Sequence, residues 1–263
     1  MFVYGLLIGS FLNCLIWRLY KEESLLGRSY CPKCRKQIAW YDNIPVLSFI
    51  FLLGKCRKCN KKISWQYPLV EIAIGLLFAL VFLFNSQNII INNQAIFNIE
   101  FFNVKYLFLL KDLVLVCVMM VVFIIDLKWY LILDIVTIPA AIFFFLINLI
   151  LGVSWVNLLI CGFIGAGFFL VQFLVSRGKW IGGGDIRLGL VMGFIFGRID
   201  LLILSIMIGY FIGSFVGVGL IILGKKSMGS KLPLGVFLSV ATVITLFYGE
   251  NILEWYFGII RFT

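Results

Sequence analysis

The stretch Trp180-Ile181-Gly182-Gly183-Gly184-Asp185-Ile186-Arg187 ends a glycine run in an acid, between long apolar segments. A carboxylate at the edge of a bilayer is costly to keep there, which marks it as a functional candidate. Glycines lack a Cβ, so this backbone can lie flat against a substrate strand or another helix, and Gly182 and Gly184 are candidate substrate contacts. The plain alternative is a flexible turn with a solvated acid. A second acid, Asp126, closes the apolar run 113–125, and Asp134 follows eight residues later. Two Asp side chains brought together cannot both ionise cheaply, so they share one proton. One member then takes a proton from water while the other gives one to a peptide carbonyl, the chemistry of aspartyl proteases. Spacing leaves open whether Asp126 or Asp134 faces Asp185. Asp126 can equally be a helix-end charge paired with Lys128, itself a candidate substrate contact.

Histidine is absent from the 263 residues. That removes Ser-His and Cys-His dyads and the His-Glu-x-x-His metal site, and leaves carboxylates as the groups for any hydrolysis.

A second chemical constellation is Cys31-Pro32-Lys33-Cys34 with Cys56-Arg57-Lys58-Cys59, two C-x2-C pairs separated by 21 residues. Cys31, Cys34, Cys56 and Cys59 have the spacing of a tetrahedral four-thiolate zinc site. Disulfides are disfavoured in the cytosol, which favours zinc over two bridges, although iron fits the same ligand set. Four thiolates leave no open coordination position, so the expected role is structural. About 50 residues of polar chain have little core of their own, and the metal supplies much of their folding free energy. Cys14, Cys117 and Cys161 lie in apolar spans, where packing explains them.

These groups must be positioned by membrane helices. The chain is 63% hydrophobic and 13% charged, against roughly 25% charge in soluble domains. The first stretch, residues 2–17, is followed rather than preceded by basic residues, which makes it an anchor and not a cleaved signal. It is short for a bilayer, and Arg18 is expected to snorkel to the interface. Seven more apolar stretches follow at about 69–84, 107–125, 131–151, 155–175, 186–199, 201–223 and 233–257. The stretch 186–199, interrupted by Gly189, Gly193 and Gly197, is the weakest of them. With eight spans and both termini outside, 18 of the 22 Lys and Arg fall in inside segments, as the positive-inside rule requires. The net charge of +10 therefore needs no nucleic-acid partner. Residues 85–104 are Asn-rich and read as an external loop, and no internal repeat is evident.

The expected architecture is an all-α polytopic membrane protein of about eight transmembrane helices, with a small cytoplasmic zinc-binding module between the first and second spans. Its parts are a first helix at 1–17, the tetracysteine module at 18–68, a second span and external loop at 69–106, and a transmembrane peptidase domain at 107–263.

Several features coincide in order: Gly9-Ser10-Phe11-Leu12-Asn13, the two Cys pairs around Asn43-Ile44-Pro45, Tyr67-Pro68-Leu69-Val70-Glu71, Asp126 with Asp134, and Gly182-Gly183-Gly184-Asp185. In that order they resemble the type IV prepilin leader peptidases, bifunctional peptidase and N-methyltransferase enzymes of the GxGD aspartyl class. The resemblance implies that Asp126 and Asp185 are the catalytic pair. It implies a multi-pass protein of the bacterial cytoplasmic membrane, with prepilin or pseudopilin precursors as substrates. These are cut after glycine at the cytoplasmic face, and the new N-terminal amine is methylated with S-adenosylmethionine. Glu71, early in the second span, is a candidate for binding that amine, or an interfacial acid that reaches water. Two departures from the family pattern are Leu133, where proline is usual before Asp134, and Arg187, where lysine is common. The polar module has no Gly-x-Gly-x-x-Gly, so methylation rests on the resemblance.

A proton- or cation-coupled transporter with a zinc regulatory module is the alternative. Its expected chain of acids at the midplane is not visible in the sequence. A non-enzymatic assembly scaffold is a third reading.

Overall fold

A computed structural model of the chain describes residues 1–91, 99–225, 227 and 231–262. Each of the eight apolar stretches lies in a helix: α1 (Phe2–Lys21), α3 (Gln66–Ile91), α4 (Ile99–Trp129), α5 (Asp134–Ile150), α6 (Trp155–Ser176), α7 (Gly183–Phe196), α8 (Ile199–Ile222) and α9 (Leu234–Phe262). A five-residue helix, α2 (Leu47–Phe51), lies in the polar segment. Among the described residues the fold is all-helical, and six helices are long and apolar enough to cross a membrane: α1, α3, α4, α6, α8 and α9. The chain is thus a multi-pass membrane protein. α5 has 17 residues and α7 has 14, and at about 1.5 Å per residue α7 is roughly 21 Å long. A crossing count of eight is accordingly a proposal that includes these two shorter helices.

The expected loop at 85–104 is narrower than its composition suggests. α3 runs to Ile91 and α4 starts at Ile99, and residues 92–98 lie outside the described residues. Asparagine weakens a helix, but the stretch holds no glycine or proline to break one. The Asn85 amide and the Ser86 hydroxyl bond back to the carbonyls of Val81 and Phe82 at 3.0 and 2.6 Å, within the helix.

The chain divides into two units, residues 1–95 and 96–263. In the first, α1 packs along α3. Arg18, the residue expected to reach the interface, is buried within the protein and donates to the carbonyls of Leu25, Gly27 and Arg28 at 2.6, 3.1 and 3.1 Å. A guanidinium carries five donors, and the loop after α1 offers it carbonyls that would otherwise need water.

In the second unit α7 is wrapped by α6 and α5, while α9 packs on α4 and α8. The glycines that make 186–199 look broken are its contact with α6. A Cβ on Gly189 would sit 2.5 Å from the Gly165 carbonyl oxygen, and one on Gly193 2.3 Å from that of Cys161. Small residues at such a crossing let two backbones touch, which favours association inside a bilayer. At the end of α7 the Asn148 amide donates to the carbonyls of Phe194 and Ile195 at 2.6 and 3.2 Å, satisfying acceptors that a helix terminus leaves free.

Candidate active site and metal centre

Asp126 stands in the last turn of α4 and is only 5% exposed. Its carboxylate is met by the start of α9, where Pro233 precedes a first turn whose N–H groups have no helical partner. The Val236 N–H donates to Asp126 Oδ2 at 3.1 Å, and the Gly235 N–H also bonds the carboxylate. A Cβ on Gly235 would lie 2.8 Å from Asp126 Oδ2, so only glycine lets α9 approach this closely.

Asp185 is the third residue of α7 and is 8% exposed. Its Oδ2 accepts the Gly182 N–H at 3.0 Å, while its own N–H returns to the Gly182 carbonyl at 3.1 Å. This is one half of a capping box, with an acid covering the helix N-terminus. Ile132, in the connection between α4 and α5, links the two acids: a Cβ on Gly184 would meet Ile132 Cβ at 2.7 Å, and one on Gly235 would meet Ile132 Cδ1 at 3.1 Å. Asp126 and Asp185 are close enough to interact electrostatically. Both are supplied with the N–H hydrogen bonds that a buried carboxylate requires.

Asp134 is placed differently. It opens α5, is 58% exposed, and forms an ion pair with Arg187, whose Nε also reaches the Gly183 carbonyl at 3.4 Å. Leu133, where proline was the expectation, adopts φ −84° and ψ 133°, an extended N-cap conformation close to what proline would impose. Gly182 has room, since a Cβ there would be 3.6 Å from Asp185 Oδ2. Lys128 Nζ lies 5.6 Å from the centre of the Trp129 ring. Sequence reasoning missed Ile132, Gly235 and Val236. The available signal was Pro233-Leu234-Gly235, a helix start that spends a glycine where helix propensity disfavours one.

In the first unit the Sγ atoms of Cys31, Cys34, Cys56 and Cys59 all lie within 4.8 Å of one another, with Cys31 and Cys59 at 4.0 Å. The module is built from two copies of one turn, offset by 25 residues. Cys31 N–H bonds the Lys36 carbonyl as Cys56 N–H bonds that of Lys61, and Arg35 N–H returns to Cys31 as Asn60 N–H returns to Cys56. Ile38 N–H reaches Ser29 as Ile63 N–H reaches Gly54, and Arg35 and Asn60 share φ values of 54° and 53°. The chain therefore does contain a short internal repeat, Cys-x2-Cys-x3-Ile-x-Trp, at Cys31 and at Cys56.

Burial would raise the Cys56 thiol, but N–H groups of Lys58 and Cys59 and hydrogen bonds from the Cys59 and Cys31 thiols bring it down to about 7. For Cys59 an N–H from Lys61 favours the thiolate, yet desolvation and its bonds to Cys56, Cys34 and Cys31 push it up to about 11. Four thiols packed this closely lose their first proton readily and their last with difficulty, and a divalent cation resolves the conflict.

Glu71, on α3, is buried and accepts the Val46 N–H at 2.7 Å and a hydrogen bond from the Ser10 side chain. Nearby, the Asn13 amide donates to the Tyr67 carbonyl at 3.1 Å and accepts from Gln66 Nε2 at 3.2 Å.

A multi-pass helical chain with two buried acids held at helix starts, and a separate four-thiol cluster, has the features of a membrane-embedded enzyme. The chain is similar to the type IV leader peptidase family, as expected of a peptidase. The model of that family matches residues 113–222, and the model of the bacterial peptidase A24 N-terminal domain matches residues 3–84. The chain is similar to a prepilin leader peptidase/N-methyltransferase of Bacillus subtilis (strain 168), 28% identical over 97% of this chain and 96% of the relative. One of the same description from Aeromonas hydrophila is 29% identical over 97% and 92%. Another, from Myxococcus xanthus, is 47% identical over 30% of this chain and 24% of its own length. No solved structure matches the chain.

Proposed function

We propose that this chain is an aspartyl endopeptidase that removes the basic leader from type IV prepilin-like precursors after glycine, at the cytoplasmic membrane face, with Asp126 and Asp185 as its catalytic pair. The observation that carries this reading is the pair of buried carboxylates, each held by the start of a helix and bridged by Ile132. With one proton between them, the ionised member takes a proton from water, whose oxygen attacks the scissile carbonyl carbon. The protonated member gives its proton to the carbonyl oxygen. Collapse of the resulting diol breaks the C–N bond as the nitrogen gains a proton and leaves as the new amine. The precursor's hydrophobic helix lies in the bilayer and its leader in the cytosol, so the bond to be cut falls at the interface. Gly182 faces the substrate backbone in this reading and Lys128 contacts the substrate beside Asp126, whereas Gly184, expected beside the substrate, is packed against Ile132.

Zinc fits the four-thiol cluster. A Zn–S distance of about 2.3 Å implies S···S edges of about 3.8 Å, against 4.0 Å between Cys31 and Cys59. Held by Cys31, Cys34, Cys56 and Cys59, it would stabilise a module in which Cys31 and Pro45 are the buried apolar side chains among residues 22–65. The relatives' names support a second activity, N-methylation of the new amine with S-adenosylmethionine. Glu71 is our assignment for holding that amine, and no residues of this chain are assigned to the methyl donor. Mass spectrometry of a co-expressed prepilin tests the whole reading by reporting both the cut and an added methyl group. An uncut precursor with wild-type protein sinks it.

A further inference from the structure

The polar segment carries a face that the metal does not explain. On α2 and just after it, Leu47, Ile50, Phe51 and Leu53 are 52, 59, 80 and 84% exposed. Leu47, Ile50 and Phe51 share one helix face by their spacing. The opposite face is anchored: Ser48 is buried with its hydroxyl on the Tyr41 carbonyl at 3.0 Å, and the Phe49 ring packs on Trp65 at 4.9 Å. An exposed apolar patch on a small module marks a contact with something apolar.

Two observations identify the occupant. First, α2 begins at the depth of a membrane span. Its N-cap, Val46, donates its N–H to Glu71 at 2.7 Å, and Glu71 lies five residues into the candidate span Gln66–Ser86, about 7.5 Å along the helix. Val46 is held at φ 60°, an unfavourable conformation for a β-branched residue. Second, residues 18–68 hold eleven Lys and Arg against three Asp and Glu. Both C-x2-C turns display exposed cations, among them Lys33, Lys36, Lys58 and Lys61. Apolar side chains beside a span, within a strongly basic module, match the boundary between acyl chains and anionic headgroups.

We propose that α2 is an interfacial helix: Leu47, Ile50, Phe51 and Leu53 enter the acyl-chain boundary of the bilayer, and the basic turns of the tetracysteine module sit against anionic lipid phosphates. The module would then be held flat on the membrane at three places, α1, α2 and α3, instead of hanging from two.

The test places a photoreactive side chain in the full-length protein, Phe51→p-benzoylphenylalanine, and in a second variant Leu53→p-benzoylphenylalanine, both reconstituted in phosphatidylglycerol-containing nanodiscs. After irradiation, mass spectrometry identifies the partner. Lipid adducts at both positions are expected, with a several-fold lower yield when phosphatidylcholine replaces phosphatidylglycerol. Cross-links to residues 96–263, to a second copy or to an added prepilin, or only water-quenched label at both positions, would overturn the proposal. Zinc content and prepilin cleavage equal to wild type establish that each variant is folded.

Discussion

At the scale of single residues, three acids that look alike in the sequence, Asp126, Asp134 and Asp185, have different surroundings in the structure. Asp134 is an exposed partner of Arg187, and exposed pairs contribute about 0–1 kcal/mol. Asp134→Asn is therefore expected to leave cleavage within about tenfold of wild type, read as kcat/KM on a purified prepilin. A loss as large as that at Asp126 would move Asp134 into the dyad. Gly235 gives a sharper prediction. Its missing Cβ leaves 2.8 Å to Asp126 Oδ2, and a misplacement of about 1 Å can cost about 100-fold in rate. Gly235→Ala should lose about that much in kcat without unfolding the protein, whereas Gly182→Ala, with 3.6 Å of room, should leave Tm unchanged. A dyad that shares one proton also predicts a bell-shaped pH profile for kcat/KM, because adding the second proton or removing the first disables one member. A profile that rises to a plateau would argue for a single titrating group.

At the scale of elements, the departure at Leu133 can be tested directly. Its φ of −84° and ψ of 133° suit proline, and a compatible substitution stabilises by about 0.4–1 kcal/mol through the unfolded chain. Leu133→Pro should keep full cleavage and raise Tm slightly, and a fall in either would mean that its N–H is needed. The tetracysteine module should release its metal on acidification, since protons compete for the thiolates, and at a pH well below the value of about 7 that the metal-free Cys56 thiol has, because the bound cation holds the thiolates deprotonated. Zinc measured by atomic absorption across that range checks the direction. The helices were legible from apolar runs, but their joints were not. The glycines of α7 read as breaks because a sequence does not reveal that Gly165 and Cys161 of α6 lie against Gly189 and Gly193. Residues 85–91 and 99–104 have the polarity of a loop but no glycine or proline to break a helix, and they are helical.

At the scale of the whole molecule, both candidate sites stand out in the sequence for a physical reason: each is made of residue types that are expensive in an apolar chain. Asp126 and Asp185 stand out against hydrocarbon, and four cysteines stand out in a basic segment. What completes the acids was hidden, because Ile132, Gly235 and Val236 act through backbone and shape. Cys31→Ser or Cys56→Ser should abolish metal binding and disorder the module, with methylation reduced more than cleavage. Equal loss of both activities would mean that the module also positions substrate for Asp126 and Asp185. The central claim is that these two acids act as one unit, and groups acting as a unit are not additive. The most direct measurement is the single-turnover cleavage rate of a purified prepilin by wild type, Asp126→Asn, Asp185→Asn and the double variant. Each single change should cost about 100- to 10,000-fold and the double no more than either. Full activity in either single variant would contradict the account.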